Sequence, residues 1–260
     1  MKKIISLLLA LLLLCGCSTA KDENISQWEE VINSNKINIG VINNGYSYKD
    51  ENGKWSGFNI DLIDAICRDL MLNYELVEVS NDDYQKKLKR GTVDCVWGII
   101  YKDSLQNDFD CSIPYIYTDE VVVFSEETSK NYPDTTTLKG IKNIIAKENS
   151  LAHATAIDFG LACLEAKDEK EAIEKVIDNS LNGAVVDYYI GAAILKELNS
   201  DLVIGPALAS YDNVILYNKN SDLNKKLRSA LKKLTENSTI DEIAQEYLLY
   251  NLLPHNRAIS

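Results

Sequence analysis

Two acids stand where charge chemistry is most readily built. Asp187 closes the short apolar run Ala184-Val185-Val186-Asp187, and Glu148 precedes the polar pair Asn149-Ser150. No clear acid/base pair stands out beyond these two. Asp187 also has the place and type of an N-cap for a helix over residues 188–198. A second cluster lies in residues 91–115, GTVDCVWGIIYKDSLQNDFDCSIPY. The apolar residues Thr92, Val93, Val96, Ile99 and Ile100, with Trp97 and Gly98 among them, read as a buried strand breaking into a polar loop. Small-molecule sites of open α/β sheets lie beyond the carboxyl ends of strands, so Trp97, Gly98 and this loop can form the wall and floor of a pocket. The same residues also suit a core tryptophan followed by a surface loop. Metal chemistry is disfavoured: Cys67, Cys95, Cys111 and Cys163 lack CxxC spacing, and His153 and His255 are about a hundred residues apart. These thiols read as small buried hydrophobes, and Cys95 with Cys111 is the first disulfide to test.

The 260 residues are 46% hydrophobic and 25% charged, enough for one large or two modest cores. A net charge of −12 without a basic run disfavours nucleic acid and polyanionic partners. Met1-Lys2-Lys3, an apolar run over 4–14 and Cys15-Gly16-Cys17 have the form of a signal peptide, too short to span a membrane as a helix. Residues 14–17 resemble a bacterial lipoprotein signal, which implies cleavage after residue 16, a diacylglycerol thioether on Cys17 and an extracytoplasmic protein held to the cell membrane by its lipid. Residues 17–27 then read as a flexible tether.

The elements that must position these residues alternate strand and helix. Residues 28–35 suggest a helix and 36–41 a half-buried strand. Asn59 is placed to cap a helix with Ile60, Ile63, Ile66 and Leu70 on one face, residues 74–79 form a strand, and a helix over 84–90 stops at Gly91. Two βαβ units predict a parallel sheet. Strands follow over 120–125, 141–146, 184–187, 202–204 and 214–217. A helix opening at Asn149-Ser150 carries Leu151, Ala154, Ile157, Leu161 and Leu164 on one face, and helices over 169–177 and 188–198 come next. Two amphipathic helices finish the chain, one through Leu223, Leu227, Leu231 and Leu234, the other through Ile240, Ile243, Ala244, Tyr247 and Leu248.

The ordered set KINIGV (36–41), NGKWSGFNIDLIDAI (52–66), LKRGTVDCV (88–96), SIPY (112–115), LKG (138–140) and AVVD (184–187), with the lipoprotein signal and the closing helices, resembles the bacterial extracellular solute-binding proteins of the polar amino acid family, the receptors of ABC importers. The resemblance covers about residues 28–250. It implies a two-lobed periplasmic-binding-protein-like α/β fold, two domains joined by crossover strands near 120–125 and 213–218. Lobe 1 would comprise 28–120 and 216–260, and lobe 2 residues 121–215 with the crossovers. A small ligand would bind in the cleft, the lobes would close on it by a hinge, and the permease subunits would recognise the closed form.

The resemblance places Tyr46 and Tyr84 as aromatics on opposite walls, with Trp97 beside them. Gly98, Ile99 and Tyr101 would orient the ligand's polar head through backbone and hydroxyl groups. Asn149 and Ser150 would offer a helix start to a carboxylate, and Asp187 would pair with an ammonium. Two departures alter the charge. Where the family carries a carboxylate-gripping Arg this chain has Leu105 or Gln106, no Arg occurs between Arg90 and Arg228, and Lys102 is the one cation of that loop. Glu148 replaces a glycine beside the anion site. Both changes favour a cationic or amine-bearing solute over a zwitterionic amino acid, the rival being an amino acid whose carboxylate is caught by Lys102 and Ser150. The expected protein is a monomeric receptor without cofactor. An enzyme of dehydratase type on the same fold, or a transport-deficient sensor or adhesin, are the alternatives.

Overall fold

The computed structural model describes residues 26–256. The signal segment 1–16, Cys17 and the tether as far as residue 25 lie outside them. Helix α1 (Gln27–Ser34) opens on a capping box: Ser26 Oγ accepts from the Glu29 N–H at 3.2 Å while the Glu29 carboxylate accepts from the Ser26 N–H at 3.0 Å. Strand β1 (Lys36–Ile42) follows, then a small hairpin of β2 (Tyr48–Lys49) and β3 (Trp55–Ser56). Helix α2 (Phe58–Asp69) buries Phe58, Leu62, Ile63 and Ile66. Its N-cap is Gly57 rather than Asn59; Asn59 is buried inside the first turn, where its amide donates to Ser47 Oγ at 3.0 Å and accepts the Tyr115 hydroxyl at 2.9 Å. Strand β4 (Asn73–Val79), helix α3 (Tyr84–Lys89) and strand β5 (Cys95–Ile100) complete the two βαβ units, with β1 parallel to both β4 and β5 as the pattern predicts.

A 3-10 turn (Asp103–Asn107) and β6 (Phe109–Cys111) lead into β7 (Ile116–Phe124). Short helices α4 (Glu126–Ser129) and α5 (Thr135–Leu138) precede β8 (Ile144–Lys147), α6 (Leu151–Asp158), β9 (Cys163–Ala166), α7 (Glu169–Ile177), β10 (Gly183–Asp187) and α8 (Tyr188–Glu197). Strand β11 (Val203–Asn218) then returns along the molecule to α9 (Leu223–Glu236) and α10 (Thr239–Glu246). Among the described residues one nine-stranded sheet runs β4-β1-β5-β11-β7-β10-β8-β9, with β6 beside β11. Strands β7 and β11 pair antiparallel from Val203 with Phe124 to Asn213 with Ile116, and they tie the halves of the sheet together.

Both faces of each half are covered, so the strands read as near-continuous apolar runs. Ile37, Ile39, Phe58, Tyr217, Leu227 and Leu231 share one core, and Leu88, Val96, Phe109 and Leu216 lie on the opposite face of the same strands. In the other half Val121, Val123 and Val186 pack with Ile173 below the sheet, and Val122, Phe124 and Val185 pack with Ile144 above it. The period-2 alternation along β7 thus feeds two cores at once. Cys67, Cys95, Cys111 and Cys163 are free thiols, the first two buried and the others half-buried.

Two expected elements differ. The helix from Ser150 ends at Asp158 because Gly160 takes up φ +91°, so Leu161 and Leu164 do not extend its face. Leu164 instead lies in β9, 54% exposed. The strand expected over 202–204 does not end there: Gly205-Pro206 is an irregularity within β11, whose register on β7 shifts between Ile204 and Ala207. A proline lacks the ladder N–H, and the shift accommodates it.

Candidate functional site

A cavity of about 620 Å³ opens where the ends of β1, β5, β8 and β10 meet the crossover strands. Tyr46, Tyr84, Gly98, Ile99, Lys102, Asn149, Ser150 and Asp187 all line it. The turn after β1 sets Tyr46: Asn44 Oδ1 accepts from the N–H of Tyr46 at 2.9 Å and of Ser47 at 3.1 Å, and the Tyr46 carbonyl accepts from the Asn59 N–H at 2.9 Å. The ring, 6% exposed, lies 5.5 Å from Tyr189, and its hydroxyl donates to Asp187 Oδ2 at 3.0 Å. Asp187 caps α8 by accepting from the Ile190 N–H at 3.0 Å, so the N-cap and the cavity-lining roles fall on one carboxylate.

Gly98 holds φ +75°, and a Cβ there would come within 3.2 Å of the Asn59 amide. Opposite it, β11 advances two residues from Val214 to Leu216 while β5 advances three, from Ile99 back to Val96. The extra residue is a bulge, and it reverses the parity of the strand. Cys95 and Trp97 face the first core, whereas Val96 and Ile99 both face the second. Trp97 is therefore 1% exposed, packed on Tyr115 with ring centres 5.2 Å apart, and does not reach the cavity. Tyr101 also turns away; its hydroxyl donates to Asp103 at 3.1 Å, accepts from Gln106 at 2.6 Å, and lines a separate hollow beside β6. Glu148 is exposed and outside the cavity lining.

The acids that do enter the cavity are Asp187, Glu120 and Glu169. Glu120, on β7, is 2% exposed, and its Oε2 has no hydrogen-bond partner among the described residues. Burial, then the neighbouring charge of Asp187, then Glu169 and Asp119, push its carboxyl up to about 8. Asp187 is pushed up to about 6 by burial, partly offset by the Ile190 N–H and the Tyr46 hydroxyl. Tyr46 itself is raised by burial and by Asp187. Thr118 links the pair to β11: its hydroxyl accepts from Asn213 Nδ2 at 2.6 Å and reaches the Tyr46 hydroxyl at 3.5 Å. Lys147 and Lys102 are the cations of the lining, with no arginine. Lys147 is ion-paired with Glu169 at 3.1 Å. The Ser150 hydroxyl is committed as well, donating to the Lys147 carbonyl at 2.7 Å and accepting from the His153 N–H at 3.1 Å. Glu120, Glu169, Thr118 and Asn213 were not singled out by sequence. The one signal for Glu120 is an acid opening the β-branched run EVVVF.

A mixed α/β sheet in two halves joined by crossover strands, with a ligand-sized cavity at the strand ends, is the periplasmic-binding-protein fold. The chain belongs to the bacterial extracellular solute-binding proteins, family 3, whose profile matches residues 37–250. It is 23% identical over 268 residues to the probable amino-acid-binding protein YxeM of Bacillus subtilis, covering 94% of this chain and 92% of that one. It is 22% identical over 232 residues to the membrane-bound lytic murein transglycosylase F of Photobacterium profundum. That match covers 85% of this chain, which spans about half the length of the transglycosylase, 45%. Among solved structures an ancestral cationic amino acid solute binding protein superposes with a TM-score of 0.75 at 18% identity, over 85% of this chain and 99% of that one. At that identity the likeness speaks for the fold.

Proposed function

We propose that this protein is a non-enzymatic receptor that captures a small amine-bearing solute, an amino acid or a simple amine, in the cleft and delivers it to an ABC importer. The observation that carries the reading is the charge of the cavity. Two buried acids, Asp187 and Glu120, line it, while Lys147 is already paired and no arginine is present to grip a carboxylate. An amine arriving there gains a charge-assisted hydrogen bond in a water-poor site. Tyr46 and Tyr84 supply apolar faces for the rest of the ligand. Glu148 does not contribute to this charge; Asp187 does, Glu120 joins it once its proton leaves, and Glu169 is offset by its pair with Lys147. Lobe 1 is assigned to residues 28–120 and 216–260 and lobe 2 to 121–215, with ligand-driven closure between them. Outside the described residues, Cys17 would carry the lipid that holds the receptor at the outer face of the cell membrane.

The test is a thermal-shift screen over amino acids, amines and short peptides, followed by calorimetry, since a ligand that binds only the folded state raises the melting temperature. Amine-bearing ligands are expected to stabilise, and Asp187→Asn to abolish the effect. Micromolar binding of ordinary L-amino acids that is lost in Lys102→Ala and retained in Asp187→Asn would overturn the charge argument. A second reading, an enzyme on the same fold, draws on a single fact: a carboxyl held near 8 can act as a general acid at neutral pH. Conversion of a bound ligand, followed by NMR, would favour it.

A further inference from the structure

Glu120 and Asp187 are directly opposite each other in the register between β7 and β10. Opposed residues of antiparallel strands project from the same face with Cβ atoms about 5 Å apart. Two carboxylates thus sit side by side at the cavity wall, one held by the Ile190 N–H and the Tyr46 hydroxyl, the other with Oε2 unpartnered. Two ionised carboxylates so placed would repel, and an unsatisfied buried acceptor is costly. A cation that satisfies both at once lets both ionise and fills the open acceptor.

Resting on the receptor reading above, we propose that Glu120 and Asp187 form a two-carboxylate clamp for a single cationic head that carries at least two N–H donors, a primary ammonium, amidinium or guanidinium, one donor to each acid. The spacing suits one head bridging both groups rather than two separated cations. A quaternary ammonium has the charge but no donor, and would leave Glu120 Oε2 as unsatisfied as it is now. Tyr46, whose hydroxyl already bonds to Asp187 Oδ2, leaves the other lone pairs of that carboxylate for the ligand. Glu120 is therefore a specificity-determining residue of the site.

The clamp also couples capture to a proton. The charged groups around Glu120 are Asp187 on β10, Asp119 on its own strand, Glu169 at the start of α7 and Lys147 on β8, with the Tyr46 hydroxyl and Lys102 also at the cavity. Burial above all, and then the surrounding acids, keep a proton on Glu120 at neutral pH. An arriving cation favours the ionised carboxylate, so this proton passes to the buffer as the ligand binds.

The experiment is calorimetry on the full-length chain with L-arginine, 1,4-diaminobutane and the bis-trimethylammonium counterpart of the diamine, in buffers of different ionisation heat. The expected result is binding of at least one N–H-bearing probe with close to one proton released at pH 7, and at least tenfold weaker binding of the quaternary probe. Glu120→Gln should weaken the N–H-bearing probe at least tenfold and abolish the proton release. Glu120→Asp, which shortens the reach but keeps the charge, should retain the proton release with weaker binding. If Glu120→Gln binds as the wild type does with the same proton release, the clamp is wrong and the receptor reading survives. If a neutral amino acid binds and no cationic probe does, the clamp is again wrong. If no solute binds, both readings fall.

Discussion

The Tyr46 hydroxyl donates to the Asp187 carboxylate at 3.0 Å across the cleft, from the turn after β1 to the N-terminus of α8. In the family to which the chain belongs, the sequence resemblance assigns the acid to a ligand ammonium and the aromatic ring to its apolar part. Here one residue reaches the other directly, and the two share a buried network with Thr118 and Asn213. The cleft is thereby bridged at one point, and an incoming amine must share Asp187 with the phenol.

Tyr46→Phe separates the two duties of the ring. The aromatic wall stays, and the buried hydrogen bond to a charged acceptor is lost, at a cost of about 1–3 kcal/mol in the free protein. Because the hydroxyl helps hold the Asp187 carboxyl down, that carboxyl rises above its present value of about 6. Urea unfolding of the ligand-free variant should show a lower midpoint with unchanged slope; an unchanged midpoint would mean that the phenol contributes nothing to the free state.

Glu120 and Asp187 make stability depend on pH in the direction opposite to most carboxylates. Their folded values, about 8 and about 6, lie above those of the unfolded chain, so the unfolded state gives up its protons first. Their contribution is full below about pH 4 and is lost as pH rises through the folded values, each tenfold change in proton affinity being worth at most about 1.4 kcal/mol. The ligand-free protein should therefore lose stability between about pH 5 and about pH 8, and Glu120→Gln should flatten the upper part of that fall. Unfolding midpoints across this range that are flat in the wild type would rule out the raised carboxyl.

Local signals carried much of the fold. Ser150 and Asp187 read as helix starts because capping depends on neighbours three residues away, and both cap as expected. The apolar runs of β1, β5 and β10 read as strands for the same reason. Trp97 misled because the bulge at Gly98 reverses strand parity, and that reversal becomes visible only when β5 is paired with β11. Glu120 escaped notice because its partner in the ladder, Asp187, is far along the chain. Gly160, two residues past the end of α6, was the available sign that the apolar spacing through Leu164 does not continue a helix.

The lipid anchor rests on residues outside those described, and it is tested on the cell. Globomycin, which blocks lipoprotein signal cleavage, should leave the precursor unprocessed but still labelled by a fatty acid, and the substitution Cys17→Ala should leave it unprocessed and unlabelled. A mature, unlabelled N-terminus under either condition would remove Cys17 from the account.

Closure of the cleft is tested at Gly45. A Cβ on Gly45 would lie 2.8 Å from Ile190 Cγ1, so the turn after β1 and the first turn of α8 meet with no room for a side chain. Gly45→Val adds a branched side chain to that contact and acts as a wedge between the lobes. It removes no buried partner from either core, so unfolding by urea should remain cooperative. The wedge should instead hold the lobes apart, separating Tyr46 from Asp187 and leaving the ligand only one wall. Small-angle scattering should then give a larger radius of gyration than the wild type, ligand should no longer reduce it, and affinity for the best amine from the screen should fall at least tenfold, about 1.4 kcal/mol or more. Truncating the facing residue, Ile190→Ala, in the same chain makes room for the valine and should restore part of the affinity. Full-strength binding by Gly45→Val alone, with the wild-type radius, would show that capture proceeds without this contact.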